Sequence, residues 1–146
     1  VPFETWPVEE FTYLEPTRCV DTTVAQRRGW VEAYWNRADP GYSDGAGAES
    51  FTDFVARAQS LLDRLASLPA QDIAVFSHGQ FLNAVAWLLV RSPQHIDAKA
   101  MTDWRAYEIE HPVRNCWGYP LLREHGAAAW TLSHRMDPEG QAPYLL

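Results

Sequence analysis

The stretch D-I-A-V-F-S-H-G-Q-F-L-N-A-V, residues 72–85, decides the fold class predicted for this chain. Its short apolar run, Ile73–Phe76, is typical of a buried parallel strand, because both faces of such a strand are covered. A helical pattern, Gln80–Val90, begins almost directly after it and is apolar nearly all round. Only Ser-His-Gly separates the two. The stretch therefore predicts a strand that turns tightly into a buried helix.

The rest of the chain supplies helices before this stretch and short strands after it. Residues 49–67 form the clearest helix pattern, with apolar side chains at spacings of three and four, Ser50 or Glu49 at its start and Pro69 just past the end. The remaining predictions are an extended or looped segment over 1–19, a helix over 21–36 capped by Asp21 or Thr22, an ambiguous segment over 95–109, and strands at Trp117–Leu122 and Ala128–Leu132 joined by a turn at His125-Gly126. This order of elements indicates an α/β architecture.

Composition limits the classes of partner. The chain has 146 residues, enough for one domain with a core, and a formal net charge of -7, which argues against nucleic acid because phosphate-backbone binding needs a basic face. The longest apolar run, near Ala84–Val90, is too short to span a membrane. The N-terminal residues have neither the basic region nor the apolar stretch of a signal peptide. The two cysteines show neither a disulfide framework nor metal-ligand spacing, so we expect a cytoplasmic location, no metal and no cofactor.

The turn at Ser77-His78-Gly79 has features of a phosphate site. Ligands of open α/β sheets bind at the carboxyl ends of strands, where the first turn of the next helix offers free N–H groups and the positive end of its dipole. Gly79 would let an anion approach the backbone, and His78 could bind it or carry protons. A structural, hydrogen-bonding histidine in a tight turn remains the alternative. Ser77 is a poor candidate nucleophile, because the G-x-S-x-G elbow is absent.

Four segments resemble the histidine phosphatase superfamily, the phosphoglycerate-mutase-like fold, and they occur in the family's order. V-F-S-H-G-Q-F-L-N-A-V resembles the second signature of that family. The others are Trp6–Phe11, similar to its glutamate segment, Gly47–Ser50, similar to its G-[GA]-E-S helix start with Arg57 on the helix that follows, and Asn115-Cys116, similar to the opening of its late strand. The resemblance implies a three-layer α/β/α sandwich with a mostly parallel sheet, a single domain over 1–146, and an inserted helical cap region at about 11–48.

The resemblance also assigns roles to individual residues. The implied reaction is phosphoryl transfer through a phosphohistidine, either phosphomonoester hydrolysis or a mutase reaction on a small phosphorylated substrate. His78 would be the second pocket histidine and would stabilise charge on the phosphoryl group, with Gly79 and Gln80 completing the phosphate-binding turn. Glu10 is the candidate general acid, with Glu9 as the neighbouring alternative and an exposed loop carboxylate as the structural one.

Three further residues of the resemblance are better explained by structure than by chemistry. Glu49 suits the cap of a helix, where an acidic side chain favours the dipole. Arg57 lies beside the apolar stripe of its helix and suggests a structural ion pair. Asn115 suggests a residue of a turn or one that hydrogen-bonds to the backbone.

One part of the family pattern has no counterpart among these residues. The family's first signature, R-H-G, carries the nucleophilic histidine, and no R-H-G occurs in the sequence. Together with Val1 in place of methionine, this suggests that the first strand–helix unit is missing, so that the domain is N-terminally incomplete and inactive alone. We then expect a missing segment to complete the sheet, or a homodimer to form. The alternative is a catalytically inactive relative that binds a phosphorylated ligand or another protein.

Overall fold

The computed structural model describes residues 3–69, 72–124, 127 and 129–133. The helices in this part of the chain are α1 (Pro16–Cys19), α2 (Val24–Arg37), α3 (Phe51–Ser67), α4 (Gly79–Arg91) and α5 (Ala98–Glu110). Two short strands follow, β1 (Leu121–Leu122) and β2 (Thr131–Leu132). They pair antiparallel, with Leu121 opposite Leu132 and Leu122 opposite Thr131.

Helices α2, α3 and α5 begin at residues whose side chains accept hydrogen bonds from the first turn. Ser50 caps α3 by accepting from the Asp53 N–H at 3.1 Å, and Thr23 caps α2 in a reciprocal capping box with Gln26. The predicted caps of α2, Asp21 and Thr22, are therefore wrong by one or two positions. The helices predicted at 21–36, 49–67 and 80–90 are confirmed, with ends shifted by at most three residues. The ambiguous segment 95–109 contains α5, and the segment 1–19 ends in the four-residue helix α1.

The core lies where α3, α4 and α5 meet, and aromatic rings dominate it. Phe54 of α3 stacks on Phe11 with ring centroids 4.1 Å apart, and Trp104 of α5 lies 5.5 Å from Phe54. The indole N–H of Trp87 on α4 donates to Asp103 of α5 at 2.7 Å, so a buried polar group is satisfied between the two helices. This packing fixes the position of α4, and with it the turn at His78.

The strand predicted at Ile73–Phe76 is wrong. No described backbone group forms a backbone–backbone hydrogen bond with residues 72–77, and Phe76 is 87% exposed. A β-strand exists only where a neighbouring strand takes up its N–H and C=O groups, and the described residues place none beside this segment. An open cleft of about 1280 Å³ lies along the segment instead, lined by apolar side chains that include Leu61, Leu65 and Val85.

The mostly parallel sheet is likewise not found in the described part of the chain. The strand pairing there is the antiparallel pair β1–β2, which lies close to the strands predicted at Trp117–Leu122 and Ala128–Leu132. The turn predicted at His125-Gly126 lies outside the described residues. Residues 11–48, predicted as an inserted cap, hold α1 and α2 and contribute Phe11 and Tyr34 to the core.

Candidate functional site at the start of helix α4

The turn that opens α4 places His78 at the N-cap position. Its backbone is extended, with φ -117° and ψ 162°, and its imidazole makes no capping hydrogen bond. The imidazole belongs to an exposed residue. Because the first N–H groups of any α-helix have no partner within the helix, the start of α4 needs an acceptor from elsewhere.

That acceptor is Glu10. The Gln80 N–H donates to Glu10 Oε2 at 3.3 Å, and the Phe81 N–H donates to Oε1 at 3.2 Å. The carboxylate thus lies at the positive end of the α4 dipole, where negative charge is stabilised. Glu10 and Gln80 are 70 residues apart in the sequence. The structure therefore brings the predicted acid and the predicted phosphate-binding turn together.

The two neighbouring glutamates point in different directions. Glu10 is half-buried and hydrogen-bonded to the backbone, so it is not an exposed loop carboxylate. The side chain of Glu9 is 71% exposed, and its carboxylate lies 3.6 Å from the Arg57 guanidinium. Of the two candidates for the acid, Glu10 is the one that faces the turn after His78.

Glu10 also occupies N–H groups that were predicted for phosphate. An anion binds a helix N-terminus through the free amides of its first turn, and the amides of Gln80 and Phe81 are already hydrogen-bonded to the carboxylate. A phosphoryl group at this turn would therefore lie beside Glu10, nearer the exposed His78 ring, or would displace the carboxylate.

Gly79 is required by packing within the chain. A Cβ atom built on Gly79 would lie 2.8 Å from the carbonyl oxygen of Val113, closer than such atoms approach in proteins. The sequence suggested that this glycine clears the way for an anion, but the space it leaves is occupied by the backbone at residue 113.

Arg57 and Glu49 form a bidentate ion pair beside the site. Arg57 Nε donates to Glu49 Oε1 at 2.6 Å and Nη2 donates to Oε2 at 2.8 Å. The ion pair predicted for Arg57 is confirmed. Of the two residues predicted at the start of α3, Ser50 caps the helix and Glu49 does not. Hydrogen bonding to Glu49 is the main cause that raises the pKa of the Arg57 guanidinium.

Arg57 makes a second set of contacts that sequence spacing did not reveal. Its guanidinium donates to the carbonyl oxygen of Pro7 at 2.9 Å and to that of Glu9 at 3.3 Å. These residues lie about 50 positions away in the chain, and backbone acceptors leave no residue-type signal in a sequence. Ser77 contributes in the same way, since its hydroxyl donates to the Val8 carbonyl.

Other predicted features lie away from this site. Asn115 lies in a turn in which the Trp117 N–H donates to the Arg114 carbonyl at 3.0 Å, as its interpretation as a turn residue requires. Among the described residues, no three His, Cys, Asp or Glu side chains are placed to hold a metal ion together. Over the same residues, no helix has the length and apolar character to cross a bilayer.

The comparison with known protein families supports the family resemblance seen in the sequence. The sequence profile of the histidine phosphatase superfamily (branch 1) matches residues 10–111, more than two thirds of the chain, and the match includes both Glu10 and His78. The chain therefore belongs to the histidine phosphatase superfamily, a family of phosphatase and mutase type whose members have an α/β fold. No curated protein and no solved structure matches the chain.

Proposed function

We propose that this chain forms most of a phosphoryl-transfer site of the histidine phosphatase type, acting on a small phosphorylated substrate through a phosphohistidine. The observation that carries the proposal is the Glu10 carboxylate, held at 3.2–3.3 Å from the Gln80 and Phe81 amides in the first turn of the helix that His78 opens. A proton donor and a cationic or neutral imidazole beside a helix N-terminus suit a phosphate ester that must lose its leaving oxygen.

The proposed steps assign one task to each group. A histidine nitrogen attacks phosphorus, and the bond from phosphorus to the leaving oxygen breaks. Glu10, which takes up a proton when the negatively charged phosphate binds beside it, gives that proton to the leaving oxygen. His78 stabilises charge on the phosphoryl group as it transfers, with the Gly79-Gln80 turn alongside. In the second step the phosphorus–nitrogen bond breaks as an oxygen attacks phosphorus, that of water in a phosphatase or of a second substrate hydroxyl in a mutase, and the proton of that oxygen returns to Glu10. The nucleophilic histidine belongs to an R-H-G element that these 146 residues do not contain.

The unpaired segment 72–77 supports a completed sheet. Its backbone N–H and C=O groups lack backbone partners among the described residues, and Phe76 extends into open space. Exposed strand-like segments of this kind pair readily with another strand. We therefore place a further strand, from a missing segment or from a second copy of the chain, beside residues 72–77, which would give the single three-layer domain with the cap region 11–48.

The direct test is capture of the phosphohistidine. The protein encoded by the whole reading frame that contains this chain is incubated with ³²P-labelled phosphomonoester, quenched in alkaline denaturant and mapped by peptide. We expect acid-labile label on a histidine other than His78, and His78→Ala to lower turnover by about 100-fold or more. Label on His78 itself would reverse the assigned roles, and absence of label would reject the covalent route.

The alternative is a relative that binds without catalysis. The observation that favours it is the occupation of two α4 amides by Glu10, in a chain that contains no R-H-G. Such a protein would bind inorganic phosphate or a phosphorylated ligand at His78 and would show no turnover. Binding of phosphate by calorimetry, lost in His78→Ala, with no labelled intermediate would establish this function instead.

A further inference from the structure

We infer that Arg57 and Glu49 form a positioning pair, which holds the Glu10 carboxylate against the first turn of α4. The inference rests on the proposed role of Glu10 as the acid, and it assigns a task to two residues that lie outside the reacting groups. Arg57 would act on the reaction only through the location of Glu10.

The first support is that the segment leading to Glu10 is held at three successive carbonyl groups. Arg57 donates to the carbonyl oxygens of Pro7 and Glu9, at 2.9 and 3.3 Å. The carbonyl between them, that of Val8, accepts from the Ser77 hydroxyl. The backbone entering Glu10 is therefore fixed from two sides, by α3 and by the residue that precedes His78.

The second support is that the same guanidinium touches the other partner of Glu10. Arg57 lies over the ring of Phe81, 5.1 Å from the ring centroid, within the range of a cation–π contact. The Phe81 N–H is one of the two donors to Glu10. The Arg57 side chain thus contacts both the segment that carries Glu10 and the residue whose N–H donates to the Glu10 carboxylate.

The third support is the geometry of the pair itself. The arginine fork and the carboxylate of Glu49 make two parallel hydrogen bonds, a geometry that lysine cannot reproduce. The two side chains are only 22% and 19% exposed, so water screens them less than a surface pair. Glu49 therefore orients the guanidinium that holds residues 7–9.

The chain contains a matched control on the same helix. Arg64 of α3 pairs with Glu4 at 2.8 Å and lies over the ring of Trp6. The side chain of Arg64 is exposed, and it contacts the same N-terminal segment. Its partners, Glu4 and Trp6, precede the carbonyl groups to which Arg57 donates. Removal of this pair should leave Glu10 in place.

The first experiment detects the contact between Glu10 and the α4 amides and requires no enzyme assay. In ¹⁵N-resolved spectra of the chain, the amide protons of Gln80 and Phe81 should shift as the Glu10 carboxylate is protonated. His78, Glu9 and Glu49 are ionisable groups of the same region, so the spectra of Glu10→Gln give the background to subtract. The difference between the two sets of shifts is the Glu10 component. We expect this component to be lost in Arg57→Gln and Glu49→Gln, reduced in Arg57→Lys, and retained in Arg64→Gln.

Every other pattern overturns the inference. A Glu10 component that persists in both Arg57→Gln and Glu49→Gln would show that the pair does not position the acid. An equal loss in Arg64→Gln would show a general loosening of the segment. Dispersed spectra confirm that a variant is folded. If Arg57→Gln unfolds, Arg57→Lys, which keeps the charge, takes its place in the comparison.

The second experiment uses turnover by the complete enzyme. A proton donor matters most when the leaving group is a poor one, so Glu10→Gln and Arg57→Gln should both lower kcat for an alkyl phosphate by about 100-fold. Both variants should lower kcat much less for p-nitrophenyl phosphate, because its leaving group needs no proton. Arg64→Gln should change kcat for neither substrate. Equal losses on both substrates in Arg57→Gln would contradict positioning. If the wild-type enzyme turns over neither substrate, the proposed function fails, while the amide titration still decides the positioning pair.

Discussion

At the scale of single residues, Glu10 shows both what a sequence can reveal and where it stops. Two adjacent glutamates in a segment before the first helices are visible in the sequence, and chemistry alone cannot choose between Glu9 and Glu10. The choice depends on which carboxylate the backbone turns toward α4, and that direction is set by contacts with residues about 50 to 70 positions away. Gly79 was similarly visible as a special position, but the carbonyl that requires it belongs to Val113.

The Glu10 contact should contribute measurably to stability. Glu10→Gln keeps an acceptor at the start of α4 but removes the charge that the helix dipole stabilises, so we expect the free energy of unfolding to fall by about 1 kcal/mol. Urea unfolding monitored by circular dichroism measures this. Glu9→Gln, on an exposed side chain, should change it by less than about 0.5 kcal/mol. Equal losses in the two variants would contradict the capping role.

Gly79 should tolerate no side chain. Gly79→Ala places a Cβ 2.8 Å from the Val113 carbonyl, and the resulting overpacking should cost about 1–3 kcal/mol of stability. The matched control is Gly29→Ala in α2, where nothing lies within 4 Å of the new Cβ and alanine should stabilise the helix by about 0.5–1 kcal/mol. The same urea titrations compare the two, and a neutral Gly79→Ala would contradict the close approach.

Tyr34 should make the protein sensitive to alkali. Burial is the main cause that raises the pKa of Tyr34, so the folded protein keeps the phenol proton that the unfolded chain loses above about pH 10. The free energy of unfolding therefore does not depend on this ionisation well below that pH, and it falls as pH rises above it, because the unfolded chain then loses a proton that the fold keeps. Tyr34→Phe should lose less stability between about pH 8 and about pH 11 than wild type, as measured by chemical unfolding. Parallel losses in the two proteins would contradict this.

The Tyr34 hydroxyl should also cost stability at neutral pH. Within the described residues it is buried without a hydrogen-bond partner, so its removal should not destabilise the fold. We expect Tyr34→Phe to be as stable as wild type or more stable by about 1 kcal/mol. A clear loss at neutral pH would indicate a partner for this hydroxyl.

At the scale of elements, local patterns predicted helices well and strands poorly. The apolar spacing of three and four in residues 49–67 depends only on neighbours along one helix, and α3 buries seven residues of that pattern. The run Ile73–Phe76 is wholly apolar, but a strand depends on hydrogen bonds to a second segment, which no local pattern contains. The reciprocal cap Thr23–Gln26 could have been predicted from the sequence, because a threonine followed three residues later by glutamine is typical of a capping box at a helix start.

The difference between these two elements should be visible in hydrogen exchange. The amides of residues 73–76 lack backbone partners among the described residues and should exchange with little protection, whereas those in the middle of α3 should exchange near the rate of global unfolding. Amide exchange followed by NMR measures both segments in one sample. Strong protection at 73–76 in the isolated chain would show that a strand pairs with this segment already.

At the scale of the whole molecule, the site depends on segments that only the fold brings together. Glu10 comes from the N-terminal segment, His78 from the turn before α4, and Arg57 from the middle of α3. The order of their motifs along the chain predicted the family, and the family profile over residues 10–111 confirms it. The mutual contacts could not be predicted, because they rest on backbone carbonyls and amides that every residue type possesses.

The central claim is that Glu10 is the proton donor beside His78, and the leaving-group step tests it most directly. The measurement is kcat of the complete protein with an alkyl phosphomonoester, for wild type, Glu10→Gln and Glu9→Gln. We predict a loss of about 100-fold or more in Glu10→Gln and a change of less than about twofold in Glu9→Gln. Unchanged turnover in Glu10→Gln, or a loss in Glu9→Gln as large as that in Glu10→Gln, would contradict the account.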